Sequence, residues 1–512
     1  MFEDFTFLFQ WGTAFGIDDF GGKYFGGGIL VVYLLCLLVI SFYGIMQFKL
    51  ARVYLKQRNL EKETVVFSND FVPYVTVQIP LYNEMYVAER AVENIVKLDY
   101  PKDKLQIQIL DDSTDETKEI VAKCVAQVKA ATGVDIIHIH RVDRVGFKAG
   151  ALDDAMVRCK GDFIAIFDVD FLPKANFLKQ TIPYFQKEDV GVIQTRWGHI
   201  NKDYSLLTEL QAFGLNAHFT VEQVGRNTQG HYINFNGTGG VWRKTCISDA
   251  GGWQHDTLTE DLDLSYRAQV RGWKFKYLED VVAPAELPIS MSALKSQQHR
   301  WMKGGAECFV KNNALLRKSD KVKTRHKLHG LFHLFNSSVF VVILILSLFS
   351  LPLMTIKSAF GIFDLVFDIS AIFIASTLFL FYYYWLSFRD KSEQFLPSLI
   401  RFTWRFIQFL TVSLGLTMNN AVAVIEGYMG IKSSFVRTPK FNASVKKERL
   451  TNKYDKKKLS PIMLLELMMF FLFGFSCFYH FQIEAYAILP FHIMLAVGYG
   501  TVFYYGVKEL KS

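Results

Sequence analysis

The chain has 512 residues, is 51% hydrophobic and 15% aromatic, and carries a formal net charge of +8. That composition is too apolar for an ordinary soluble enzyme, and the length allows more than one domain. The six cysteines (Cys36, Cys124, Cys159, Cys246, Cys308, Cys477) show no CxxC spacing, which argues against a disulfide framework or a cysteine-built zinc site and predicts buried thiols in a reducing compartment.

The first apolar block, 28–48 (GGILVVYLLCLLVISFYGIMQ), is long enough to cross a bilayer as a helix. It is too long, and its N-terminal flank too acidic, for a cleaved signal peptide. Residues 1–28 hold one Lys against four acids, whereas 49–62 (KLARVYLKQRNLEK) is rich in Lys and Arg. The positive-inside rule therefore puts the N-terminus outside and the chain beyond residue 48 in the cytosol. The basic excess serves this orientation, and no nucleic-acid partner is expected.

Residues 64–285 contain no such block and alternate strand-like and helix-like segments. PYVTVQIPLYNE (73–84), LQIQILDDSTDET (105–117), DIIHIHRVDR (135–144) and GDFIAIFDVDFLP (161–173) each read as a strand that ends in polar residues. Helical segments between them imply an α/β domain with a mostly parallel sheet, whose ligands gather at the carboxyl ends of the strands. No GxGxxG follows a strand and there is no Walker A lysine, so dinucleotide and P-loop readings fail.

Chemistry collects at those ends. Asp111 and Asp112 are acceptors suited to nucleobase N–H groups and ribose hydroxyls, although Ser113 or Asp115 there also reads as a helix cap. Lys148 precedes a helix and can reach a phosphate, or is a surface lysine. Asp168 and Asp170 are two apart in an extended chain and project on one side. Carboxylates held that close repel unless a cation neutralises them, and a divalent ion that also grips a diphosphate meets the need. The competing reading is a solvated turn. NFNGTGGVWRK (234–244) carries Gly237, Gly239 and Gly240, which let backbone approach a ligand. Glu260 and Asp261 open a helix after Thr257 or Thr259. They serve either as a general base toward a sugar hydroxyl or as compensation for the helix dipole.

Beyond the domain, 286–328 reads as interfacial helices that include SALKSQQHRWMKGGAECF (292–309). Arg300 offers a fixed phosphate-gripping cation and Trp301 a face for a sugar ring, unless both belong to an interfacial belt. Residues 329–388 hold two predicted crossings (332–356 and 365–388), and 462–507 two more (462–482 and 485–506). Between them, 397–427 is apolar but bears Arg401, Arg405 and Gln408 at i, i+4, i+7. This polar stripe predicts a helix lying in the interface. Residues 432–458 are strongly basic and predicted cytosolic. FYYYW (381–385) reads as an interfacial aromatic belt or as stacking faces for sugars.

Taken in order, Asp111/Asp112, Asp168-Val169-Asp170, Thr259-Glu260-Asp261 and Gln297-Gln298-His299-Arg300-Trp301 resemble the D, DxD, TED, QxxRW signature of the family-2 glycosyltransferases of the cellulose synthase superfamily. IPLYNE, LDDSTDET, KAGAL, FNGTGGVWR and QQHRW are most similar to the cellulose-synthase-like A and C proteins, mannan and glucan backbone synthases, and to their bacterial relatives. FVRTPK (435–440) resembles the cytosolic gating loop FxVTxK, with Phe435, Thr438 and Lys440 matching and Arg437 standing where the family has valine. The resemblance implies a GT-A-type cytosolic domain embedded in about five transmembrane helices. It implies that Tyr82, Glu84, Asp111, Asp112, Lys148, Asp168 and Arg300 bind a nucleotide-sugar (UDP-glucose or GDP-mannose). Asp168 and Asp170 would hold Mg²⁺ or Mn²⁺, with Asp261 as base beside Glu260. Gln297, Trp301, Asn236 and Gly237 would bind the growing glycan. The expected product is a β-linked, 1,4-linked polysaccharide exported through the bilayer, in the plasma or inner membrane of a bacterium or the Golgi of a eukaryote. The alternatives are a non-processive glycolipid glycosyltransferase and a catalytically silent membrane scaffold. The chain is expected to end just past its last crossing, without a C-terminal cyclic-dinucleotide receptor domain.

Overall fold

A computed structural model describes residues 20–59, 70–359, 375–390, 392–433, 437–442 and 459–510. The four sequence-legible strands are present: β1 (Val75–Leu81), β2 (Leu105–Asp111), β3 (Asp135–His140) and β4 (Phe163–Ile166). Three more, β5 (Val190–His199), β6 (Gly240–Arg243) and β7 (Lys274–Ala285), complete one seven-stranded sheet in the order β3-β2-β1-β4-β6-β5-β7. The first four strands pair in parallel and β5 pairs in parallel with β7, whereas β6 runs antiparallel to both its neighbours. The sheet is therefore mixed.

β1 and β2 are buried along their whole length, as strands covered on both faces must be. Val75, Val77, Ile79, Ile107 and Ile109 pack under helices α1 (Ala88–Ile95) and α2 (Thr117–Thr132). Leu110, Ile164, Ile166 and Trp242 pack on the other face, with α3 (Phe147–Ala155) and α4 (Glu260–Arg271). The glutamines that interrupt these strands are buried but paired: Gln78 Nε2 donates to Gln108 Oε1 at 3.0 Å and Thr76 Oγ1 to Gln106 Oε1 at 2.9 Å, so their burial leaves few bonds unmade.

The chain then enters α5 (Met291–Lys318), a 28-residue helix capped by Ser290, whose hydroxyl accepts from Ala293 N. Polar contacts tie α5 to the domain and to the apolar helices at once. Asn312 donates to Asp263 at 3.0 Å and Leu258 N donates to Glu307 at 2.7 Å. On the other side Lys295 pairs with the buried Glu466 at 2.6 Å, and fully buried Lys303 with Glu426 at 3.0 Å. Gly304 faces Thr259, where a β-carbon would sit 2.5 Å from Thr259 Cγ2, so α5 and the start of α4 touch backbone to side chain.

Among the described residues three helices are long and apolar enough to cross a membrane: Gly26–Arg58, Thr324–Leu353 and Pro461–Gln482. Phe395–Gly415 and Thr417–Tyr428, which cover the 397–427 block, form a pair bent by 50°, compatible with a broken span or a re-entrant loop. Of their polar stripe, Arg405 reaches the domain and pairs with Glu209 on the helix Leu206–Ala217, whereas Arg401 pairs with Glu393 before its own helix. Of the 365–388 block, Ala375–Phe388 is described and 360–374 lies outside the described residues. The last block forms the helix Leu489–Leu510, which is not among these three. Tyr383 and Trp385 of FYYYW are buried, and Tyr384 stacks on Phe213 at 5.2 Å, so these rings pack inside the protein.

Candidate active site

One cavity of about 190 Å³, open to solvent, lies at the carboxyl ends of β1, β2 and β4. It gathers Tyr82, Glu84, Asp112, Lys148, Asp168, Asp170, Asn236, Gly237, Glu260, Asp261, Gln297, Arg300, Trp301, Thr438 and Lys440 on a single wall system. Asp111 does not join them. It is buried on the opposite face of β2, bonded to His138 and to Ser113 N, because neighbouring residues of a strand point to opposite sides. Phe435 lies outside the described residues.

Each acid in the floor has a nearby cation. Asp112 receives a two-pronged contact from Arg141, Nε at 2.8 Å and Nη2 at 2.7 Å. Arg144 lies 3.4 Å over the Tyr82 ring, a cation–π contact. Lys148 Nζ bonds Asp168 Oδ1 at 2.6 Å and Gly237 O at 2.9 Å. Lys440 Nζ bonds Asp170 Oδ2 at 2.7 Å, and the same oxygen accepts from Glu286 N at 3.2 Å. Burial alone would lower both lysines, but the carboxylates beside them hold them above the usual lysine range. Arg437 pairs with Glu84 at 3.0 Å, where burial still pushes the Glu84 carboxyl up. Burial also pulls the Arg300 guanidinium down, against the pull of Asp168 and Glu260.

Glu260 and Asp261 sit differently. They open α4 at the helix N-terminus, walled in by α5, and among the described residues no short ion pair joins either to a cation. Burial raises both carboxyls, and the charge of Glu260 raises Asp261 further, to about 7. A carboxyl poised there exchanges its proton near neutral pH. Gly237, with φ of +76°, turns the 234–240 loop so that a β-carbon would lie 3.3 Å from Asp261 Oδ2. Glycine meets both requirements there.

Several cavity residues carry no signal in the motifs. Trp197 and His199 come from β5, a strand whose only hint is the alternation in VGVIQTRWGH. Burial holds His199 down at about 4, so its ring is neutral at physiological pH. Glu286 accepts from Phe441 N at 2.7 Å, binding the 437–442 segment to the end of β7. Thr438 is buried, and its hydroxyl has no hydrogen-bond partner among the described residues. Arg437, the departure from the family's valine, pairs with Glu84 as Lys440 does with Asp170, so the 437–442 segment forms a strap across the cavity.

The sheet order and the placement of these acids define a GT-A-like fold. Residues 73–304 match "Glycosyltransferase like family 2", so this part of the chain is a glycosyltransferase family 2 domain. Glucomannan 4-beta-mannosyltransferase 1 of Oryza sativa subsp. japonica is 40% identical over 268 residues, 51% of this chain and 51% of that protein. Glucomannan 4-beta-mannosyltransferase 2 of Arabidopsis thaliana is 41% identical over 268 residues, 51% of this chain and 50% of that one. The chain thus spans about half the length of the curated relatives it matches. A mannosyltransferase from Pyrobaculum calidifontis, solved with GDP-Man and Mn²⁺, superposes with a TM-score of 0.54 at 18% identity, covering 79% of this chain and all of that one. At that identity the likeness speaks for the fold.

Proposed function

We propose that the protein is a membrane-embedded inverting glycosyltransferase that extends a β-1,4-linked polysaccharide from a nucleotide-activated hexose. The observation that carries this reading is the convergence of the four separated motifs on one cavity, with the Asp261 carboxyl raised into the range of a working base. The glucomannan mannosyltransferase relatives favour a mannose backbone and a GDP-mannose donor, with UDP-glucose as the competing donor. The three apolar helices support insertion in a bilayer, and the basic 49–62 and 432–458 segments support a cytosolic catalytic domain.

The donor's nucleoside fits the end formed by Tyr82, Glu84, Asp112 and Arg144, and its diphosphate the ring of Lys148, Arg300 and Lys440. The oxygen donors of Asp168 and Asp170 fit Mg²⁺ or Mn²⁺, since in this structure each already holds a cationic nitrogen at 2.6–2.7 Å. When bound, such an ion supplies charge neutralisation for the departing diphosphate. Gln297 and Trp301 hold the end of the acceptor glycan, with the indole as a stacking face and Asn236 and Gly237 opposite. Asp261 takes the proton of the acceptor hydroxyl, which attacks the anomeric carbon from the side away from the diphosphate, and configuration inverts. Lys148 and Arg300 hold the negative charge that develops on the leaving phosphate. Closure of Thr438 and Lys440 over the donor excludes water.

The decisive experiment supplies the purified protein with UDP-glucose, UDP-N-acetylglucosamine and GDP-mannose in turn and digests any product with linkage-specific hydrolases. Long polymer cut by a β-1,4-mannanase or glucanase is expected. A single sugar on lipid would replace the polymer reading with a glycolipid transferase, and no nucleotide release from any donor would overturn transferase activity altogether.

A further inference from the structure

The α2-side face of the sheet ends, at its carboxyl edge, in three metal-ligating side chains that the cavity does not use. In the β2/β3 ladder Ile109 pairs with His138 and Asp111 with His140. Residues two apart on a strand share a face, so both imidazoles and the carboxylate project together. Asp111 Oδ2, His138 Nε2 and His140 Nδ1 all lie within 4.8 Å of one another. The carboxylate oxygen is 2.8 Å from His138 and 3.6 Å from His140. Asp111 is fully buried, while the two histidine side chains are 14% and 21% exposed, which leaves a small ion a way in.

Hydrogen bonding accounts for only part of this cluster. Asp111 Oδ1 accepts from Ser113 N at 2.8 Å and Oδ2 bonds His138. His140 Nδ1 is buried and has no hydrogen-bond partner among the described residues; its nearest carboxylate oxygen is beyond bonding range. A carboxylate shared between two imidazoles satisfies one of them, whereas a single divalent ion inside the triangle satisfies all three donors. We propose that Asp111, His138 and His140 bind a divalent transition-metal ion of the Zn²⁺ type, separate from the Asp168/Asp170 pair. Two imidazole nitrogens and one carboxylate oxygen select Zn²⁺, Co²⁺ or Ni²⁺, whereas the oxygen-only pair in the cavity suits Mg²⁺ or Mn²⁺. Three protein ligands leave the remaining position to water. The ion would clamp the ends of β2 and β3 directly before Asp112 and Arg141, the bidentate pair at the cavity wall. The site stands on its own geometry and does not depend on the transferase reading.

The test uses the full chain in detergent carrying Asp168→Asn and Asp170→Asn, so that the cavity pair cannot contribute. After chelator treatment, Co²⁺ is titrated while visible d–d absorption is followed, and Zn²⁺ binding is measured by calorimetry. One ion per chain is expected, with Zn²⁺ raising Tm. His140→Gln, at a partly exposed position, should weaken binding by at least about 100-fold and abolish the Zn²⁺ shift in Tm while the apo-protein melts as before. His138→Gln should act alike. A missing Co²⁺ signal, or a signal and Tm shift that His140→Gln leaves unmoved, would overturn the proposal.

Discussion

The two sides of the cavity are built on different principles. The floor, with Asp112, Asp168 and Asp170, is fixed by the ends of buried strands whose register is set by the hydrophobic pattern. The roof, with Arg300, Trp301, Arg437, Thr438 and Lys440, is delivered by a helix and a strap that reach the floor from far along the chain. Lys440 meets Asp170 across 270 residues. The floor supplies mostly acids and the roof mostly cations, so the halves attract each other, as in the Lys440–Asp170 pair. This contrast teaches that a catalytic centre can draw its acids from local strand geometry and its cations from tertiary docking, and that the two should respond differently to mutation.

Damage to the floor should be the more severe. Asp168→Asn with Asp170→Asn should bring turnover down by at least ~10⁴-fold, since in the proposed mechanism the leaving diphosphate would lose its metal anchor, worth several kcal/mol. Nucleotide release in the presence of Mn²⁺ is the readout, and metal-dependent turnover that survives would sink the assignment. Next comes Asp261, the proposed base. Asp261→Asn should lower kcat by about 10²–10⁴-fold with donor affinity nearly unchanged. The wild-type kcat/KM should fall on the acid side of about pH 7, because the raised carboxyl is protonated below that value and cannot take a proton. A pH profile flat down to about pH 5, or a collapse of nucleotide binding in the Asn variant, would move the base elsewhere.

The roof should give smaller and more selective effects. Replacing Thr438 and Lys440 together by alanine should cut polymer synthesis by about 10²-fold, the scale for removing a positioned charge donor, while membrane insertion stays intact. Near-normal synthesis would reduce the strap to a basic segment held by anionic lipid, at about 1 kcal/mol per basic residue. The smallest effect is expected where α5 meets α4 through packing alone. Gly304→Ala places a methyl 2.5 Å from Thr259 Cγ2 and should destabilise the fold by about 1–3 kcal/mol, seen as a lower Tm. An unchanged Tm would show that α5 can move off α4 freely.

The same contrast explains what could be read from the sequence. The first four strands and their terminal acids were legible because each is an apolar run punctuated by polar residues. β5, β6 and β7 were not: Trp197 and His199 sit in a strand with no distinctive punctuation, and β6 is a four-residue segment inside what reads as a glycine loop. Asp111 and Asp112 could not be told apart by type, only by the alternation that sends one into the cavity and the other under α2. Arg437 read as a departure from pattern, and its pairing with Glu84, itself a predicted site residue, is invisible without the tertiary fold. The polar stripe of Arg401, Arg405 and Gln408 was legible as a stripe, but its contact with Glu209 on the domain was not.

Helix α5 is held from both sides at once. The family 2 match ends at residue 304, in the middle of the helix Met291–Lys318. Lys295 and Lys303 on that helix are neutralised by Glu466 and Glu426 from the apolar helices, and Glu509 accepts the Ser292 amide at 2.9 Å. A fragment cut at the family boundary would sever α5 and lose Glu426, Glu466 and Glu509, and with them the contacts that hold the helix carrying Gln297, Arg300 and Trp301. The boundary by which the domain is recognised therefore cuts through a helix held from both sides, and soluble versions of the protein should be sought by replacing the partners of α5 rather than by shortening the chain.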